Sequence, residues 1–167
     1  MKYSTVAAAS VLALIAGTAQ ADFFNRIASF PVVQNMGEGE DLGRESSPEI
    51  IAATPDGMTL VYTDSPLGVL GLIDITDPRN PQPLGNIALP GEPTSVSVVG
   101  RRAYVGINTS ESFVDPSGQL AVIDIDTKAV VATCELTGQP DSVAVDAIGS
   151  FIAIAIENER DEDLGEG

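Results

Sequence analysis

Leu89-Pro90-Gly91-Glu92-Pro93-Thr94-Ser95-Val96-Ser97-Val98 is the stretch that decides the fold. It returns 47 residues later as Leu136-Thr137-Gly138-Gln139-Pro140-Asp141-Ser142-Val143-Ala144-Val145. A phrase returning at a fixed offset of this length marks a repeat architecture. Two shorter phrases also return. Leu72-Ile73-Asp74-Ile75 reappears as Val122-Ile123-Asp124-Ile125, and Val61-Tyr62 has its counterpart at Tyr104-Val105 and then in Ile152-Ala153-Ile154-Ala155-Ile156.

Between these landmarks the chain consists of short apolar or alternating runs bounded by Gly, Pro, Asp and Asn, the pattern of strands and turns. One period reads as four strands: 50–53, 59–64, 68–74 and 82–88, then 95–98, 102–108, 119–124 and 130–136. A third period shows strands at 142–145 and 151–157. Thr54-Pro55-Asp56-Gly57 is a tight turn, because Pro presets φ and Gly supplies a positive φ. Asp74 and Asp124 end matching strands and are expected to cap turns. Tyr62 and Tyr104 are expected to share one position in the repeat and to pack.

Four short antiparallel strands per 40–50 residues describe a β-propeller blade. The expected fold is therefore all-β, with about two and a half blades: 48–92, 93–139 and an incomplete 140–167. Residues 22–47 form an N-terminal segment in which 24–33 is read as one strand. An immunoglobulin-like sandwich also accommodates several short strands, but it does not predict the returning L-x-G-x-P phrase. Helical solenoids are excluded, because no 3.6-residue apolar period persists beyond the N-terminus. A ring needs at least about four blades, so the chain is expected to be an open fragment: the first part of a longer protein, which the break after the second strand of the third blade favours, or a chain that assembles with other copies.

The N-terminus carries Lys2, an apolar stretch from Val6 to Ala16, and small residues ending Ala19-Gln20-Ala21. That is a secretory leader with cleavage expected after Ala21, and its apolar part is too short to span a bilayer. The expected location is periplasmic or secreted, with no membrane span. The net charge is −16, which disfavours nucleic acid and anionic lipid as partners. The chain has no His, which removes His-based triads, proton shuttles and metal ligation together. Cys134 is the single cysteine; no intramolecular disulfide can form, and its strand context predicts a buried, inert thiol.

Gly71-Leu72-Ile73-Asp74-Ile75-Thr76-Asp77-Pro78-Arg79-Asn80-Pro81 resembles the LVIVD repeat of bacterial surface and periplasmic propellers. Val99-Gly100-Arg101-Arg102-Ala103-Tyr104-Val105-Gly106-Ile107-Asn108 is similar to the YVTN repeat of the same superfamily. The wider stretch 54–163 resembles exported phytase-like esterases and alkaline-phosphatase-like proteins. The resemblance implies a propeller and, as one reading, the N-terminal part of a calcium-dependent phosphoric-ester hydrolase. One propeller scaffold hosts many functions.

In a propeller, the loops between second and third strands and those between blades project from one face. Here that face would carry Asp64, Glu92, Glu111, Asp115, Asp141, Glu157, Glu159, Asp161, Glu162 and Asp163. Carboxylates without His or thiolate are hard oxygen ligands suited to calcium or magnesium. Glu157, Glu159, Asp161 and Asp163 are the candidate metal ligands, and no residue is assigned a catalytic role. Arg101 and Arg102 fall in a turn on the opposite face, where solvation is expected. The functional expectation is a binding or scaffold module in the periplasm or at the cell surface, taking a protein, glycan or phosphoester on the acidic loop face. The esterase is the alternative.

Overall fold

A computed structural model describes residues 25–158. The strands are β1 (Pro48–Ala53), β2 (Thr59–Asp64), β3 (Val69–Asp74), β4 (Gln82–Ala88), β5 (Glu92–Val99), β6 (Arg102–Asn108), β7 (Gly118–Asp124), β8 (Ala129–Leu136), β9 (Pro140–Val145) and β10 (Ile152–Ile156). They form antiparallel sheets in the orders β1-β2-β3-β4, β5-β6-β7-β8 and β10-β9. This all-β arrangement of four-stranded, propeller-like units agrees with the expected fold class. The described units do not close into a ring.

Units 1 and 2 pack face to face. Val61, Leu70, Leu72 and Ile87 from the first meet Val96, Ala103, Val105, Ile107, Ala121 and Ile123 from the second in one buried cluster. These residues alternate with others along each strand, because a strand sends successive side chains to opposite faces. The first strands of the units lie side by side, with β5 between β1 and β9. Hydroxyls link β5 to β9: Thr94 Oγ1 donates to Pro140 O at 2.6 Å and Ser97 Oγ to Val143 O at 2.7 Å. Ser95 Oγ accepts from Val143 N at 3.0 Å.

The L-x-G-x-P phrase has a steric cause. A Cβ on Gly91 would lie 2.2 Å from Asn108 O, and one on Gly138 would lie 2.2 Å from Asn158 Oδ1. Each glycine thus lets the linker pass against the end of the second strand of the unit that follows it. Pro93 and Pro140 are both fully buried, and Pro140 fills the space left by Gly106 and Gly118 of unit 2.

The expected turns are present. Gly57 has φ +70° and its N–H donates to Thr54 O at 2.8 Å. Asp74 accepts from Thr76 N at 2.8 Å, and Asp124 accepts from Thr127 N and Oγ1, each at 2.9 Å. These bonds hold both carboxyls below the ordinary Asp value.

Four expectations are corrected. No strand forms in the described part of 24–33; a 3₁₀ turn, Val32–Asn35, follows Pro31 instead. Its Asn35 side chain donates to Tyr62 Oη at 3.0 Å and Leu72 O at 2.9 Å, and accepts from Gly85 N at 3.0 Å. The segment is tied to unit 1 by a side chain rather than by strand pairing. Tyr62 pairs with Gly71 and Tyr104 with Val122. Counted back from the matching residues Asp74 and Asp124, they are one step out of register and point to opposite faces. Cys134 is exposed, because β8 is the outer strand of unit 2 and has solvent along almost its whole length. Asp64, expected on the charged rim, is fully buried. It accepts from Ser46 Oγ at 2.6 Å, Ser47 N at 3.0 Å and Leu67 N at 3.3 Å, which makes it a loop organiser.

Candidate functional site

Strand pairing fixes the site. β6 and β7 stay in register to Asn108↔Gly118, so residues 109–117 form an added loop beyond the last pair. The matching connection in unit 1 is the tight turn 65–68, closed by Gly68 N donating to Ser65 O at 3.0 Å. Nothing in the strand geometry requires the longer loop, and long loops on rigid scaffolds are where binding residues concentrate.

Its base is clasped. Thr109 Oγ1 and Ser117 Oγ are 2.9 Å apart, Ser110 Oγ donates to Ser117 O at 3.0 Å, and Ser117 N donates to Ser110 Oγ at 2.9 Å. Asn108 Oδ1 accepts from Ser110 N at 3.0 Å, and Ser112 bridges Asp115 across the tip. The loop thus presents Glu111 to Val114 outward, with Phe113 49% exposed.

Beneath the loop lies an open cleft of about 310 Å³ lined by Glu92, Asn108, Ser110, Glu111, Ser112, Phe113 and Gln139. A smaller recess of about 80 Å³ adjoins it, lined by Thr94, Asn108, Gln139, Pro140, Asp141 and Glu157. Asn108 and Gln139 line both. The clefts therefore occupy the seam where the end of β6 meets the linker into unit 3, and Glu157 N donates to Gln139 O at 2.9 Å across it.

The structure brings Glu92, Glu111, Asp141 and Glu157 of the expected acidic face to this seam. Asp115 lies at the loop tip, outside the lining residues of either recess. Glu159, Asp161, Glu162 and Asp163 lie outside the described residues. Among the described residues no three His, Cys, Asp or Glu side chains gather as a metal cluster. No Lys or Arg lines either recess. Arg101 lies at the opposite strand ends, where it pairs with Asp126 at 2.6 Å and Asp56 at 3.6 Å and joins turns of units 1 and 2.

Phe113, Asn108, Gln139 and Thr94 were not singled out as site residues by sequence. A legible signal did exist: Asp64-Ser65-Pro66-Leu67-Gly68-Val69 stands in unit 1 where unit 2 has Asn108 through Gly118. The difference in loop length was readable from the repeat itself.

Comparison with known proteins shows that the choice-of-anchor I domain model matches residues 49–166. The chain belongs to the choice-of-anchor I domain family. Among solved structures, this choice-of-anchor I chain is similar to hydrazine synthase of Kuenenia stuttgartiensis, with TM-score 0.57 and 21% identity over 67% of this chain. It is also similar to a functionally unknown protein from Desulfotomaculum acetoxidans DSM 771, with TM-score 0.50 and 13% identity over 62% of this chain. At these identities the likeness concerns the fold alone. The choice-of-anchor I chain covers 30% and 31% of those two chains. No curated protein matches it. Among the described residues, no helix is long and apolar enough to cross a membrane.

Proposed function

We propose that this chain is part of an exported, surface-associated binding module that engages its ligand at the seam cleft of unit 2. The observation that carries this reading is the clasped loop 109–117, an addition the paired strands do not need, which overhangs a cleft of about 310 Å³. The family description, naming a domain joined to a choice of anchors, supports a role at the cell surface. The N-terminal leader, outside the described residues, supports export.

The test uses the full mature chain as bait on native envelope extract, beside an Asn108→Ala, Glu111→Ala variant. A partner captured by the first and lost by the second is the expected result. Equal capture by both, or capture by neither, would overturn the reading.

The calcium-dependent esterase implied by resemblance has less support. Asp141 and Glu157 share the smaller recess, which fits a hard cation, but no cationic side chain is present in either recess to hold a phosphate. A calcium titration followed by thermal melting checks it: a rise in Tm that chelator reverses and Glu157→Gln abolishes is its expected signature.

A further inference from the structure

The geometry points to a carbohydrate as the ligand of the seam cleft, with an uncharged sugar unit stacked on the Phe113 ring. This inference rests on the binding role proposed above and specifies its chemistry.

Three features carry it. The first is Phe113, a large apolar side chain that lines the cleft while half of it faces solvent. It stands at the tip of a loop whose base is fixed by four hydroxyl and amide contacts. A Phe side chain has few torsions to lose on binding, and its ring is a flat apolar surface on which the C–H face of a pyranose can stack.

The second is the polar lining. Glu92 and Glu111 are acceptors only, whereas Ser112 both donates and accepts. Asn108 Oδ1 is already engaged by Ser110 N, which leaves its NH₂ group to donate towards the cleft. Donors and acceptors interspersed around an aromatic suit adjacent hydroxyls, each of which donates and accepts at once.

The third is charge. With carboxylates in the lining and no Lys or Arg, a sulfated, phosphorylated or uronic sugar would meet uncompensated repulsion. The volume lies at the low end of the ~300–1,000 Å³ found for ligand clefts. A short unit, rather than a long embedded chain, is what it holds.

The full mature chain is tested on an array of neutral manno-, gluco- and N-acetylglucosamine di- to tetrasaccharides. The strongest binder is then titrated calorimetrically, beside an arginine-rich tetrapeptide and a sulfated disaccharide. Expected are 1:1 binding of a neutral sugar that added salt leaves unchanged, and a loss of at least about tenfold with Phe113→Ala. Phe113→Trp should retain binding, and Tm should be unaltered in both variants because the residue is exposed. Glu38→Gln, at a residue that lines neither recess, should leave the titration unchanged.

Binding of the peptide or the sulfated sugar alone would overturn the carbohydrate assignment, as would neutral-sugar binding indifferent to Phe113. If no sugar binds while envelope capture still depends on Asn108 and Glu111, only this inference fails. If both fail, the binding role itself is wrong.

Discussion

Asn35 is the residue on which the N-terminal segment depends. It is buried at 3% exposure and uses both ends of its amide, bridging Tyr62, Leu72 and Gly85. Asn35→Ala would strand the Leu72 carbonyl and the Gly85 N–H, and should lower stability by about 2–3 kcal/mol in chemical denaturation. Tyr62 is coupled to it: burial raises the phenol above its ordinary value, and the Asn35 bond opposes that. Polar side chains this specific were not legible in the repeat. Whether a Tyr or an Asp is buried depends on what crosses its face, and spacing alone does not contain that. Asp64 was misplaced for this reason, whereas Asp74 and Asp124 were readable because their partners lie two or three residues away.

Acid titration belongs to the same scale. Asp124 is held below the ordinary carboxyl value by Thr127, and Asp146 by the Phe151 N–H and Ser150. Depressed folded values mean that the unfolded chain takes up protons first. The stability these groups supply is fully present above the ordinary Asp value of about 3.9, and is lost as pH falls through their lower folded values. Urea melts between pH 6 and pH 3, conditions chosen to span that range, should show falling stability with a shallower slope in Asp124→Asn.

Turns and seams decide the behaviour of the elements. Gly118 pairs with Asn108 at the edge of the cleft, and a Cβ there would lie 2.3 Å from Gly138 O and 2.5 Å from Pro140 Cδ. Gly118→Ala should push β9 from β6 and destabilise by about 1–3 kcal/mol, with amide exchange rising first in 140–145. Gly57 has a positive φ but nothing near its Cβ position. Gly57→Ala should therefore act through conformation alone, at about 1 kcal/mol. The strand bounds were close to those expected, since period-two alternation and Pro/Asp/Gly turns are local signals. The status of β8, and with it the exposure of Cys134, was not local. An outer strand carries the same Val-rich composition as an inner one, and only the sheet order shows which side has no neighbour.

At the scale of the whole chain, the joints between units differ in kind. Arg101 spans units 1 and 2 through Asp126 and Asp56, and these groups are substantially exposed. Arg101→Ala should therefore change stability by no more than about 1 kcal/mol, an effect that should vanish in high salt on comparing melts. What chiefly holds this joint is the apolar cluster from Val61 to Ile125. The joint between units 2 and 3 relies more on hydroxyl bonds from Thr94, Ser95 and Ser97.

That contrast gives the two joints opposite thermal characters. Apolar contact weakens as water cools, while a hydroxyl held to a carbonyl has no such dependence on hydration entropy. Chilling the protein should loosen the first joint relative to the second, and warming should reverse the order. Hydrogen exchange at β1 and β9, compared near freezing and near body temperature, would show a molecule whose weaker seam changes place with temperature.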